Sequence, residues 1–208
     1  MLDARLRPVV DRSLNAMGGA AAARGITANQ VTVAAFLFGL AAMAALALRW
    51  DLLAVGLLMV NRLGDGLDGA VARHSGLSDL GGFLDIVLDF IVYAGMVFAF
   101  VVGRPEYALE AAFLLFSFMG TAASFLAYAI IAAKRNLTTS LRGRKSLYYL
   151  GGLMEGTETI ILLVTMCLFP HWFAWLAWGF GAACWLTTAT RIVAAWQTFR
   201  QDPASDRG

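Results

Sequence analysis

Residues 81–102 read GGFLDIVLDFIVYAGMVFAFVV, and how they are taken decides the fold. A helix needs about 20 largely apolar residues to cross a bilayer, and this run has that length and oiliness. It nevertheless carries Asp85 and Asp89, which an isolated spanning helix would hold at a cost of several kcal/mol each, roughly. The rest of the chain resolves the conflict in favour of the membrane. Its 208 residues are 60% hydrophobic and only 14% charged, with a mean hydropathy of +0.70. Soluble domains run near ~25% charged. An all-α integral membrane protein is the economical reading.

Working outward, the same length test marks six spans: 28–49, 52–73, 81–102, 108–133, 147–169 and 172–196. The second has an apolar first half and a polar second half. Breaks fall at Trp50-Asp51, His74-Ser75-Gly76, Gly103-Arg104-Pro105, Asn136 to Ser146, and Pro170-His171, the usual punctuation of helices. Ahead of the spans, Leu2, Leu6, Val9, Val10 and Leu14 recur near helical spacing with Arg5, Asp11 and Arg12 elsewhere on the wheel. That pattern predicts an N-terminal interfacial amphipathic helix, loosened at its end by Gly18-Gly19. The organisation expected is therefore a cytoplasmic helix in 1–25, a six-helix membrane domain in 26–198 and a polar tail in 199–208. The first 25 residues lack an uninterrupted apolar core and are not expected to be a cleaved signal. Cys167 and Cys184 lie in apolar runs with no metal spacing, and read as small buried hydrophobes.

Lysine and arginine set the orientation. With six spans, one side holds Arg5, Arg7, Arg12, Arg24, Arg73, Lys134, Arg135, Arg142, Arg144, Lys145, Arg200 and Arg207, and the other holds Arg49 and Arg104. Twelve against two places both termini in the cytoplasm. Asp65, Asp68, Asp85 and Asp89 then lie at the cytoplasmic ends of spans two and three.

Spacing gives these aspartates a geometry. Asp65 and Asp68 are three apart and Asp85 and Asp89 four apart, so each pair shares a helical face. The short link between the two spans makes them antiparallel neighbours whose acidic faces can meet. Four converging carboxylates repel one another, and Arg62 and Arg73 bring only two positive charges. Hard oxygen ligands call for a hard divalent cation, Mg²⁺ or Mn²⁺, in one or two copies. Gly64, Gly66 and Gly69 leave room for a bulky ligand. Carboxylate-held metals with room for phosphates suit phosphoryl transfer, and the membrane setting suggests a lipid-linked phosphate.

The series Asp65-x2-Asp68-Gly69-x2-Ala72-Arg73, then Gly81-x3-Asp85-x3-Asp89, resembles the signature DxxDGxxAR, eight residues, GxxxDxxxD of the CDP-alcohol phosphatidyltransferase family. Here the gap is seven residues, which leaves open whether Gly81 or Gly82 is the motif glycine. Residues 26–32, ITANQVT, are similar to the family's TPNxVT entry to the first span, with Ala28 where proline is usual. Residues 61–63 and 145–159 look closest to a bacterial inner-membrane branch of that family.

The resemblance implies that Asp65, Asp68, Asp85 and Asp89 hold two divalent cations and that Asp89 is also the catalytic base. It implies CDP contacts at Gly69, Ala72, Arg73 and Gly81. The reaction it implies moves a substituted phosphate from a CDP-linked donor, favoured as CDP-diacylglycerol, to an alcohol with release of CMP in phospholipid biosynthesis. The reverse assignment, a CDP-alcohol and a lipid hydroxyl, carries the same signature. A homodimer in the bacterial inner membrane, among membrane lipids and without nucleic acid, completes the expectation.

Other charged residues divide between roles. Arg144 and Lys145 adjoin span five and are candidate acceptor or phosphate contacts, against plain positive-inside topology for the basic 134–145 stretch. Glu155 and Arg191 are further candidates, with Glu155 and Glu158 as alternative structural partners of Arg191 or Arg62. His74 and His171 read as loop residues. A cation transporter would need polar groups toward both membrane faces, whereas these aspartates gather at one end. A catalytically silent member of the family is the remaining alternative.

Overall fold

The computed structural model describes residues 3–135, 154 and 156–200, with side chains from Ser13 onward. Among the described residues seven α-helices follow one another: α1 Asp3–Ala23, α2 Ala28–Ala47, α3 Asp51–Ser75, α4 Asp79–Gly103, α5 Ala108–Lys134, α6 Gly156–Leu168 and α7 Phe173–Phe199. Single 3₁₀ turns at Pro105–Tyr107 and Pro170–Trp172 precede α5 and α7. All regular structure among the described residues is helical.

Local sequence explains where the site-bearing helices begin. Thr27 caps α2: its hydroxyl accepts from the Gln30 N–H at 3.3 Å while the Gln30 side chain accepts from the Thr27 N–H at 2.9 Å. This reciprocal pair satisfies two of the helix's orphan donors, so the entry needs no proline at Ala28. Ser78 caps α4 by accepting from the Gly81 N–H at 3.1 Å. Between them, α3 stops at Gly76, whose φ of 105° is open to glycine.

Helix α2 packs against both α3 and α4, α1 lies on α3, and α5 pairs with α7. The buried core runs through Leu46, Leu58, Met96, Phe100, Leu114, Leu163, Met166 and Phe173. Outside it, large apolar side chains such as Leu37, Phe98, Leu109, Phe116, Ile130 and Trp175 are exposed on most helices. That is the inverse of a water-facing surface and what a lipid-facing one requires.

By length and composition, α2, α4 and the Pro105–Lys134 segment can each cross a membrane, and α6 with α7 adds a fourth span if the pair, bent by 118° at Phe169, is counted as one. Helix α3 is as long as α4, 25 residues, but Asp51, Arg62, Asp65, Asp68 and Arg73 make it too polar for that test. Span five is described only from Met154 and Gly156 onward.

One expectation needs correction. Gly18-Gly19 does not loosen α1, which continues to Ala23. A Cβ at Gly18 would stand 2.7 Å from the Ala70 carbonyl carbon, so the missing side chain lets α1 lie directly on the α3 backbone.

Candidate active site

Helices α3 and α4 follow one another across the link 76–78. Rather than packing closely on each other as neighbours, both pack on α2, and their acidic side chains meet across the space between them. Asp65, Asp68 and Asp85 each place one carboxylate oxygen within 4.8 Å of the others. Asp68 is buried and the other two are half-buried. Helix α2 closes the third side, where the Thr32 hydroxyl donates to Asp68 Oδ2 at 2.5 Å. The pocket around these groups is lined by residues of α2, α3 and α4, Thr32, Asn61 and Arg62 among them.

Asp89 lines the same pocket but has different partners. Its Oδ1 accepts from Arg62 Nη2 at 2.7 Å and its Oδ2 from the Tyr93 hydroxyl at 3.2 Å. Arg62 Nη1 donates to that hydroxyl at 2.9 Å, and Arg62 Nε and Nη2 both reach Asn61 Oδ1, at 2.8 and 2.6 Å. Asn61 in turn donates to the Ala35 carbonyl at 2.8 Å. A guanidinium held this way is fixed in a planar fork. Spacing alone put all four aspartates in one cluster; the fold gathers three and ties the fourth to Arg62.

The single charge of Arg62 serves Asp89 and stands 3.8 Å from Asp65, so it cannot offset the whole group. Three hard carboxylate oxygens this close suit a divalent cation in size and chemistry. The residues therefore fit Mg²⁺ or Mn²⁺, with Asp65, Asp68 and Asp85 as the set that would hold it.

The glycines sort into two roles. A Cβ at Gly64 would meet the Ala35 Cβ at 2.5 Å, and one at Gly66 the Leu14 Cδ1 at 2.8 Å. These two are small because α2 and α1 pack there, not to admit a ligand. Gly69 is different: the nearest atom to its Cβ position is Arg73 Nη1 at 3.8 Å, which leaves a notch on α3. Of the motif's alternative glycines, Gly81 sits close to neighbours, with Ser78 Oγ at 2.9 Å and Asn29 Oδ1 at 3.0 Å from its Cβ position, and Gly82 has open space. Both neighbours of Gly81 are ends of flexible side chains, so these contacts do not select between the two glycines. Ala72 lies one turn beyond Gly69, and Arg73 is exposed, donating to Asn15 Oδ1 on α1 from both Nε, at 3.0 Å, and Nη2, at 2.7 Å.

Arg191, a candidate for the acceptor, lies on α7 and donates to the Thr121 carbonyl of α5 at 2.9 Å. Glu155, Arg144 and Lys145 lie outside the described residues. His74 belongs to the last turn of α3 rather than to a loop, with its ring 3.4 Å from the Cβ position of Gly19. Cys167 and Cys184 are buried and free. Sequence reasoning did not single out Thr32 or Tyr93, although Thr32 falls within the capped entry to α2.

Residues 25–195 match the family model described as CDP-alcohol phosphatidyltransferase. The chain is 49% identical over 201 residues to inner membrane protein YnjF of Escherichia coli, covering 96% of this chain and 98% of that one. It is 39% identical over 100 residues, 48% of this chain and 53% of that one, to archaetidylinositol phosphate synthase of Pyrococcus horikoshii. The fold is similar to the crystal structure of Mycobacterium tuberculosis phosphatidylinositol phosphate synthase, PgsA1, with CDP-DAG bound. There the TM-score is 0.71 at 20% identity, over 89% of this chain and 94% of that one.

Proposed function

From the premise that this chain belongs to the CDP-alcohol phosphatidyltransferase family, we propose that it transfers a substituted phosphate from CDP-diacylglycerol to an alcohol and releases CMP. The observation that carries this reading is the meeting of Asp65, Asp68 and Asp85 oxygens within 4.8 Å at the motif positions. CDP-diacylglycerol is favoured as donor because PgsA1, the similar fold, was solved with CDP-DAG.

The acceptor oxygen forms a bond to the phosphorus that bears the lipid. The bond from that phosphorus to the CMP oxygen breaks, and CMP leaves with the electron pair. Asp89 takes the proton of the acceptor hydroxyl as the new bond forms. Asp65, Asp68 and Asp85, with Asp89 beside them, would hold the divalent cations, Mg²⁺ or Mn²⁺, which when bound would supply positive charge to offset the pyrophosphate and the leaving phosphate. Gly69 and Gly81 let the CDP group come close to the backbone, Ala72 borders it, and Arg73 supplies a positive charge to it. Arg144, Lys145, Glu155 and Arg191 are the acceptor-side candidates.

The setting is a bacterial inner membrane crossed six times, with α3 and the segment from residue 147 counted as spans. Helix α1 lies on the cytoplasmic surface, both termini and the site face the cytoplasm, and the working unit is a homodimer. The basic loops support that orientation.

The test is direct. Purified protein given labelled CDP-diacylglycerol, Mn²⁺ and a panel of alcohols is expected to release CMP with at least one acceptor. A second arm offers CDP-alcohols and diacylglycerol. No release in either arm would sink the proposal, and release only in the second would reverse the donor assignment.

A further inference from the structure

Arg73 belongs to the nucleotide signature, yet what fixes it comes from outside the membrane domain. Asn15, on α1, receives two hydrogen bonds on one carbonyl oxygen, from Arg73 Nε at 3.0 Å and Nη2 at 2.7 Å. With that edge of the guanidinium taken, Nη1 is the end turned toward the notch at Gly69, 3.8 Å from its Cβ position. The platform under Asn15 is tight on both sides. Leu14 reaches the Gly66 position at 2.8 Å, and Gly18 rests on the Ala70 and Val71 backbone at 2.7–2.9 Å. Gly19 lies against the His74 ring at 3.4 Å. Each contact binds α1 to the turn of α3 that carries the signature.

An exposed arginine on its own is a flexible charge, and ordering such a side chain costs about 0.5–1.5 kcal/mol at the moment a ligand binds. Asn15 removes that cost beforehand, because the amide oxygen selects one rotamer of Arg73 and aims its free nitrogen. The Asn15 amide is neutral, so Arg73 keeps its charge for an anionic partner.

We infer that Asn15 is a positioning residue for the CDP-binding site: it holds the Arg73 guanidinium over the Gly69 notch and so makes α1 part of that site. The inference rests on the reading of Arg73 as a CDP contact. It predicts that Asn15→Ala weakens CMP binding, measured by calorimetry on the full-length protein with Mn²⁺, by roughly three- to tenfold. The KM for CDP-diacylglycerol should rise by a similar factor with kcat unchanged. Arg73→Ala should weaken CMP binding more, and the double variant no further than Arg73→Ala alone, because both act through one group.

Additive losses in the double variant would overturn the inference, as would unchanged CMP binding in Asn15→Ala beside a loss in Arg73→Ala. Unchanged binding in Arg73→Ala would overturn the nucleotide role of Arg73 itself and the inference with it. A fall in kcat and thermal stability without a change in CMP affinity would assign Asn15 to the docking of α1 alone and also overturn it.

Discussion

Two arginine–aspartate pairs tie α3 to α4, one where α3 starts and α4 ends and one near the middle of both helices. At one end Arg104 Nη2 donates to both oxygens of Asp51, at 2.9 and 2.6 Å. Near the middle, Arg62 Nη2 donates to Asp89 at 2.7 Å. Their burial is nearly equal: the arginine side chains are 4% and 8% exposed and the aspartates 23% and 24%. What differs is the company. Arg104 lies over the Phe100 ring at 4.7 Å, and Phe100 stacks on Phe173 at 4.1 Å, so one charge meets one charge among aromatics. Arg62 meets Asp89 beside three more carboxylates. A buried ion pair alone says little about chemistry. An excess of one sign around such a pair marks a place prepared for something else to bind.

The comparison can be broken most sharply by activity. Asp68→Asn or Asp85→Asn is expected to lower CMP release by about 10³-fold or more, whereas Asp51→Asn should leave the rate per folded molecule within a few-fold. Comparable losses in both would end the distinction.

Metal removal comes next. Saturating Mg²⁺ at about 100 times its Kd should stabilise the protein by about 2.7 kcal/mol over the chelated form, seen as a rise of several degrees in thermal midpoint. Asp65→Asn/Asp68→Asn should lose that response and Arg104→Ala should keep it. Stability itself sharpens the contrast in the other direction. Breaking a fully buried pair costs about 3–5 kcal/mol. Asp51 is about a quarter exposed, so Arg104→Ala should cost nearer 2–3 kcal/mol by chemical denaturation in detergent, with or without metal. In Arg62→Ala the loss should be largely restored by Mg²⁺, because a cation can take over the repulsion the guanidinium held down.

The smallest effect concerns Thr32, which donates to Asp68. Thr32→Val keeps the shape and removes the donor, and should weaken Mn²⁺ affinity roughly tenfold, as changes in groups that orient metal ligands do. Unchanged Mn²⁺ affinity by calorimetry would show that α2 only packs there.

Much of this was legible in the chain. Three- and four-residue spacings placed the aspartates on facing sides of two helices, because that depends on helical period alone. The tie between Asp89 and Arg62 depends on the register of α3 against α4, which no local pattern encodes. The same limit governed the glycines. Gly64, Gly66 and Gly69 are alike in sequence, and only the positions of α1 and α2 tell contact from notch. Asn15 carries no motif at all, since its meaning comes from a residue 58 positions away.

The link between α3 and α4 has one more consequence. Helix α3 ends at Ser75 and α4 is capped at Ser78, so the seven residues between Arg73 and Gly81 comprise the last two of α3, a short exposed bridge and the first two of α4. An α-helix turns by about 100° per residue. One residue added inside the first turn of α4 would swing Asp85 and Asp89 about that far around the axis, away from Asp65 and Asp68. The same residue added at Leu77 would only lengthen the bridge. Spacing within each half of the signature is therefore a matter of angle, and the length of the bridge is a matter of reach.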